Sequence, residues 1–159
     1  MTKHELLTDV IGDISQSPKV FFTEGRWSSY HLLSYLLSKT GEADVYISTF
    51  SYSEEFIRTV MKLKSEGLIR LSFLYANVAV KGYKSDINRF VTNVFYGVFI
   101  GNFHEKMFYI KSKTHRIGVI QTANATPNPS YESGIIFSGD DADCIMNQFT
   151  SLDLNSKMI

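Results

Sequence analysis

Residues 44–75 read DVYISTFSYSEEFIRTVMKLKSEGLIRLSFLY, and this stretch decides the fold. Residues 44–50 are rich in β-branched and aromatic side chains, which favour a pleated, half-buried strand. Ser53 then offers a helix N-cap, with Glu54 and Glu55 placed in the first turn against the positive end of the helix dipole. Phe56, Ile57, Val60, Met61 and Leu63 recur at helical spacing and mark the buried face. Gly67 closes the helix, and residues 68–75 make the next strand. Strand, helix and strand in this order form a βαβ unit, whose strands are expected to lie parallel with a right-handed crossover.

Outward from this unit the pattern continues on both sides. Towards the N-terminus, Leu6, Leu7, Val10, Ile11 and Ile14 fall at helical spacing, and residues 20–22 read as a short strand. Residues 28–39 place Tyr30, Leu33, Leu36 and Leu37 on one helical stripe, with Gly41 as the stop. Towards the C-terminus, residues 77–83 read as a loop, followed by a short helix bearing Ile87, Phe90 and Val91. The period then changes to two over residues 94–100, 103–111, 115–123 and 133–137. Asp140 and Asp141 open a last helix with Ala142, Ile145, Met146, Phe149 and Leu152 inside. No repeat or linker interrupts the chain. The expectation is a single α/β domain over residues 1–159, with its core in about 20–152: a mixed, mostly parallel-cored β-sheet sandwiched by helices.

Composition narrows the function classes. Sixteen basic and sixteen acidic residues give a net charge of +0, which excludes a wholesale basic coat while leaving room for a local basic patch. The single cysteine, Cys144, excludes an internal disulfide framework and reads as a packed small residue on the last helix. No apolar run approaches the roughly 20 residues that a bilayer-spanning helix needs, and the first residues lack the pattern of a signal peptide. A cytoplasmic protein without stable membrane association is expected.

The chemistry-bearing stretch is His104-Glu105-Lys106-Met107-Phe108-Tyr109-Ile110. On a strand, His104, Lys106, Phe108 and Ile110 share one face. Lys111-Ser112-Lys113-Thr114 is turn-like, so the flanking strands are expected to form a hairpin, with His104 opposite about Thr122 and Lys106 opposite about Ile120. Asn124 then follows the strand end beside His104, and Glu132 returns to the same corner after a loop. Lysine and amide donors can hold the non-bridging oxygens of a phosphodiester, and a neutral imidazole nitrogen can attack phosphorus. A carboxylate such as Glu132 can fix the imidazole tautomer. None of these roles requires a metal or another cofactor. Arg116 shares the predicted face of Thr122, where it either touches a substrate phosphate or is a solvated hairpin residue. Lys111 and Lys113 join it in a basic cluster that is either a phosphate rail or a solvated turn. Trp27 and Tyr30 either cap the core or sit at an interface between copies.

His104-x-Lys106, then Gln121-Thr122-Ala123-Asn124, then Glu132-Ser133-Gly134-Ile135-Ile136-Phe137 resembles the signature of the phospholipase D superfamily. That signature is a His-x-Lys pair, a Gly/Ser-Ser/Thr-x-Asn element and an acidic residue opening a strand. Two positions depart from it. Lys111 replaces the Asp found five residues beyond the lysine, and Gln121 replaces the small residue before Thr122. The chain is similar in its His-Lys-Asn set to the superfamily's tyrosyl-DNA phosphodiesterases and to a metal-independent restriction endonuclease.

The resemblance implies a phospholipase-D-like fold and a two-histidine mechanism, with one histidine as nucleophile and the other as general acid. His4, His31 and His115 lack a lysine two residues on, so the chain carries half of such a site. It implies a homodimer with a shared centre. The leading expectation is a metal-independent phosphodiesterase, a nuclease acting through a phosphohistidine on DNA rather than RNA. His104, Lys106, Asn124 and Glu132 would be catalytic, and Thr122, Arg116 and Lys111 would bind substrate. A decayed family member serving as a binding or assembly module, and a lipid-directed phospholipase, are the alternatives.

Overall fold

The computed structural model describes residues 1–77, 85–127 and 129–159. Its strands are β1 (Lys19–Phe22), β2 (Ala43–Thr49), β3 (Ile69–Asn77), β4 (Gly97–Gly101), β5 (Met107–Ser112), β6 (Arg116–Gln121), β7 (Ser133–Ser138) and β8 (Lys157–Met158). They form one 8-stranded sheet in the order β1-β7-β6-β5-β2-β3-β4-β8. The helices are α1 (Lys3–Val10), α2 (Ser29–Thr40), α3 (Glu54–Ser65), α4 (Ser85–Val94) and α5 (Asp143–Leu154), the last entered through a 3-10 turn at Gly139–Ala142.

The βαβ unit forms where the sequence places it. Ser53 caps α3 by accepting the Phe56 N–H at 3.2 Å, and Gly67 adopts the positive φ of 76° that ends the helix without a Cβ penalty. β2 and β3 pair in parallel, and β4 extends the parallel set beyond β3. On the other side of β2 the chain returns as the antiparallel ribbon β5, β6 and β7, closed by β1. The sheet is therefore mixed, with its parallel pairing concentrated in β2, β3 and β4.

The two faces of the sheet are covered unequally. Alternation along β5 sends Phe108 and Ile110 into the larger core with α1, α2, α3 and α4, while Met107 and Tyr109 enter a smaller core under α5. Gly118 on β6 is what lets α5 approach: a Cβ there would lie 2.6 Å from Ile145 Cγ1. Trp27 is buried in the larger core against Phe21, ring centroids 5.3 Å apart, and Tyr30 packs on that core. Among the described residues, no helix is long and apolar enough to cross a membrane.

Several local expectations are corrected. The strand expected from residue 94 begins at Gly97, because Phe95 still bonds back to Val91 as the end of α4. Residues 103–106 are irregular and β5 starts at Met107. Cys144 is exposed rather than packed. The edge strand β8 is an addition that two residues of sequence do not announce. The expected 77–83 loop beyond Asn77, and the Ile87 side chain, lie outside the described residues.

Candidate functional site

The hairpin register sets the corner at which the candidate residues meet. Met107 pairs with Ile120 and Lys111 with Arg116, so the ladder is one residue away from the expected one. Beyond it, the Gln121 N–H donates to the Lys106 carbonyl at 3.0 Å, which places Lys106 opposite Gln121 instead of Ile120. A turn one residue longer or shorter shifts every pairing in this way, and the sequence around 112–115 does not specify which turn forms. In the structure the Ser112 N–H donates to the His115 carbonyl at 2.9 Å and closes it.

His104 and Lys106 come together in the irregular segment before β5. Lys106 Nζ lies 3.2 Å from His104 Nδ1 and donates to the His104 carbonyl at 3.1 Å. An ammonium has only donors, so Nδ1 must offer its lone pair to it, and the ring proton of a neutral imidazole then sits on Nε2. The His104 ring rests 5.0 Å from the Phe50 ring, just past the end of β2, and remains exposed to solvent.

Asn124 reaches the same end of β2. The Thr49 hydroxyl accepts the Ala125 N–H at 3.0 Å, and the Ser29 hydroxyl donates to the Asn124 carbonyl at 2.9 Å. Thr49 has one proton to give, and its 2.6 Å bond to the Ser51 carbonyl takes it. The 3.4 Å approach of Thr49 to Asn124 Oδ1 is therefore a side contact, and the backbone bonds do the holding. Asn124 Nδ2 keeps its two donors without a partner among the described residues. Tyr52 bridges to Ala125 beside it, and burial raises the Tyr52 phenol pKa.

Glu132 bonds to Thr122 and not to the His104 imidazole, whose Nδ1 faces Lys106, so the expected tautomer-fixing contact of Glu132 is not made. The Thr122 hydroxyl donates to the Glu132 carboxylate and accepts the Ser133 N–H at 3.0 Å. The Glu132 backbone is held from β1: its N–H donates to the Thr23 hydroxyl at 3.0 Å, and its carbonyl accepts the Thr23 N–H at 2.8 Å. The turn after Thr23 requires a glycine at position 25, where φ is 70° and a Cβ would lie 2.3 Å from the Pro129 carbonyl oxygen.

Lys111 and Arg116 are elsewhere. They pair with each other across the hairpin at the opposite end of β5. Five residues of strand separate Lys106 from Lys111, about 17 Å at strand rise. Arg116 is clamped by Asp143 at 2.6 Å and Asp140 at 2.8 Å. The structure thus does not bring these two to the His104 corner. The acidic pair that holds Arg116 lies at the start of the last helix, where Asp140 and Asp141 were legible only as helix-opening residues.

Sequence reading missed the supports of the corner: Thr23, Ser29, Thr49 and Phe50. One signal was available for the last two. They end a parallel strand, and ligands of open α/β sheets gather at the C-terminal ends of such strands. A cavity of about 510 Å³ adjoins the corner on the α5 side, lined by His104, Lys106, Met107, Ile120, Cys144 and Gln148 among others. Among the described residues, no three His, Cys, Asp or Glu side chains converge to hold a metal ion.

No protein-family model matches the chain, and no curated protein matches its sequence. Solved structures do match its fold. A phospholipase D family member, Nuc from Salmonella typhimurium, superposes with a TM-score of 0.65 at 11% identity, covering 90% of this chain and 97% of that one. Polyphosphate kinase from Porphyromonas gingivalis gives a TM-score of 0.65 at 11% identity, over 91% of this chain and 27% of that chain. Phosphatidylserine synthase from Haemophilus influenzae Rd KW20 gives 0.56 at 12% identity, over 81% of this chain and 36% of that chain.

Proposed function

From its phospholipase-D-like fold and the His104 corner, we propose that the protein is a phosphodiester hydrolase, a nuclease acting on DNA without a metal, with its centre shared between two copies of the chain. The observation that carries this reading is the contact of Lys106 Nζ with His104 Nδ1. It couples the only donor-rich side chain of the His-x-Lys pair to the tautomer of the imidazole.

Attack on phosphorus needs the lone pair of His104 Nε2, and hence a proton on Nδ1. Lys106 must then leave Nδ1, and the non-bridging oxygens of an arriving phosphate diester are stronger acceptors for its ammonium. Substrate binding therefore switches the imidazole into its nucleophilic form. Nε2 forms a bond to phosphorus and the bond to the leaving oxygen breaks. That oxygen takes a proton from His104 of the second copy, which acts as an imidazolium and is left as a neutral imidazole. Water then attacks the phosphohistidine, the P–N bond breaks, and the water proton goes to the second imidazole. Asn124 Nδ2 and the two Lys106 ammonium groups stabilise the charge on the phosphoryl oxygens. Glu132, through Thr122, braces the strand end that carries Asn124.

The test is hydrolysis of bis(p-nitrophenyl) phosphate and of DNA in EDTA, with an alkaline denaturing quench to trap a base-stable, acid-labile phosphohistidine. Turnover in chelator with label on His104 is expected. Activity that appears only with added magnesium overturns the mechanism. An inactive protein that binds a nucleic acid or protein partner would favour the assembly-module reading.

A further inference from the structure

Glu105 stands between His104 and Lys106 in sequence, but its side chain reaches α5 while the His104 ring turns to Phe50. The Ser48 hydroxyl fixes the Glu105 backbone by donating to its carbonyl at 3.0 Å. The Glu105 carboxylate then accepts from Gln148 Nε2 of α5 at 2.7 Å. An ionised carboxylate only accepts, so this contact decides which end of the Gln148 carboxamide faces Glu105. Gln148 Oε1 is left as an acceptor and the second Nε2 proton as a donor, neither with a partner among the described residues.

Both side chains line the cavity of about 510 Å³ that His104 and Lys106 also line. Met107 and Ile120 from the sheet and Ile145 from α5 make its apolar walls. Apolar walls with a fixed acceptor and donor suit a flat ring that carries a donor beside an acceptor on one edge. Adenine presents N6–H beside N7 and meets both Gln148 atoms at once. Thymine presents O4 and guanine O6, and each of these carbonyl oxygens would face the Glu105 carboxylate. Cytosine carries its amine on a smaller ring that covers less of the apolar wall.

We infer that this cavity is a nucleobase site beside the scissile phosphate, with Gln148 reading the base edge, Glu105 orienting its carboxamide, and adenine the preferred base. This rests on the reading of His104 and Lys106 as a phosphodiesterase centre, and gives that centre a base preference. Glu105 acts through Gln148 and is a positioning residue. Its charge also turns a second phosphate away from the cavity, so the backbone of the substrate passes on the Lys106 side.

The experiment measures kcat/KM on the p-nitrophenyl esters of dAMP, dCMP, dGMP and dTMP, and on bis(p-nitrophenyl) phosphate, which carries no base. Binding of dAMP and dTMP is titrated by calorimetry in parallel. Wild type should favour the adenine ester over the thymine ester by about tenfold or more, the discrimination of one bidentate base contact. Gln148→Met, which keeps the length and removes the amide, should bring that ratio to about one. Glu105→Gln should lower it, because an amide can turn either end towards Gln148. Circular dichroism checks the fold, and Gln148→Ala decides the matter if Gln148→Met fails to fold. Equal rates on the four nucleotide esters, with bis(p-nitrophenyl) phosphate hydrolysed, overturn the base site and leave the hydrolase reading intact. Gln148-dependent binding of dAMP by a wild type that hydrolyses no phosphodiester overturns the hydrolase reading and leaves the base site. An adenine preference that survives both Gln148 variants overturns Gln148 as its reader. Faster hydrolysis of p-nitrophenylphosphorylcholine than of every nucleotide ester gives the cavity to an alkylammonium group at Glu105 and overturns the inference.

Discussion

The buried hydroxyl of Thr49 accepts the backbone N–H of Ala125 at 3.0 Å, and this bond joins the Ser53 N–H to Ala125 carbonyl bond of 2.9 Å in tying the loop carrying Asn124 to the C-terminal end of β2. Asn124 is thereby placed by a residue 75 positions earlier in the chain. Thr49→Val keeps the shape and removes the acceptor, leaving a buried N–H without a partner at a cost of about 1–3 kcal/mol. Melting temperature should fall accordingly. A displacement of Asn124 by about 1 Å should lower kcat by up to about a hundredfold with little change in KM, and Thr49→Ser should restore it. Steady-state kinetics and calorimetry on the two variants check this, and equal losses in both would show that the hydroxyl is not what places Asn124.

His104→Ala should abolish phosphodiester cleavage and leave the fold intact, since the side chain is exposed and lies outside the regular strands. Lys106→Ala and Asn124→Ala should retain weak activity, each losing transition-state donors, with one such donor contributing roughly 3 kcal/mol. In mixed dimers, one His104→Ala subunit should strongly impair its wild-type partner, because one imidazole cannot both attack phosphorus and protonate the leaving oxygen. Quenched-flow rates on tagged heterodimers measure this, and half of wild-type activity in the heterodimer would refute the shared centre.

Arg116→Ala should leave hydrolysis within about twofold of wild type, because Arg116 is committed to Asp140 and Asp143 at the far end of the hairpin. Its effect belongs to stability: a lower melting temperature at low salt, with the difference shrinking as salt screens the ion pairs. A loss of activity as large as that of Lys106→Ala would instead place substrate along the hairpin tip.

His31 supplies a pH dependence. Its Nδ1 accepts the Ser28 N–H at 3.0 Å at the start of α2, and burial, followed by the nearby charge of Lys3, lowers its pKa below 6.5. The folded protein then binds fewer protons than the unfolded chain between that lowered pKa and 6.5. Stability contributed here is fully present above the unfolded value and is lost as pH falls through the folded one. Thermal melts should drop on acidification below about pH 6.5, the ordinary histidine value. His31→Gln keeps a Ser-x-x-Gln capping pair that does not titrate, and should flatten this part of the pH profile. An unchanged profile would assign the acid sensitivity to other groups.

Local chemistry made much of the molecule readable from sequence. The βαβ unit was legible because Ser53, the 3.6-residue stripe through Phe56, Ile57, Val60 and Leu63, and Gly67 are near-neighbour signals, and near neighbours act the same way in any context. The face alternation of Phe108 and Ile110 against Met107 and Tyr109 was legible for the same reason. So was the proximity of His104 to Lys106, which needs only two residues of chain.

Tertiary structure decided what depends on residues far apart in sequence. The hairpin register turned on the Ser112–His115 turn, and a one-residue difference moved Lys106 from Ile120 to Gln121. The Arg116 guanidinium was assigned by Asp140 and Asp143, which arrive only when α5 packs onto Gly118. Thr49, Ser29 and Thr23 became supports of the corner through bonds spanning 76, 95 and 109 positions. Which flank of the sheet stays bare depends likewise on where α5 lands across the strands. Periodicity tells which face of an element is apolar, but only packing tells whether anything covers it, because burial is a property of the assembled surface and not of the chain that carries it.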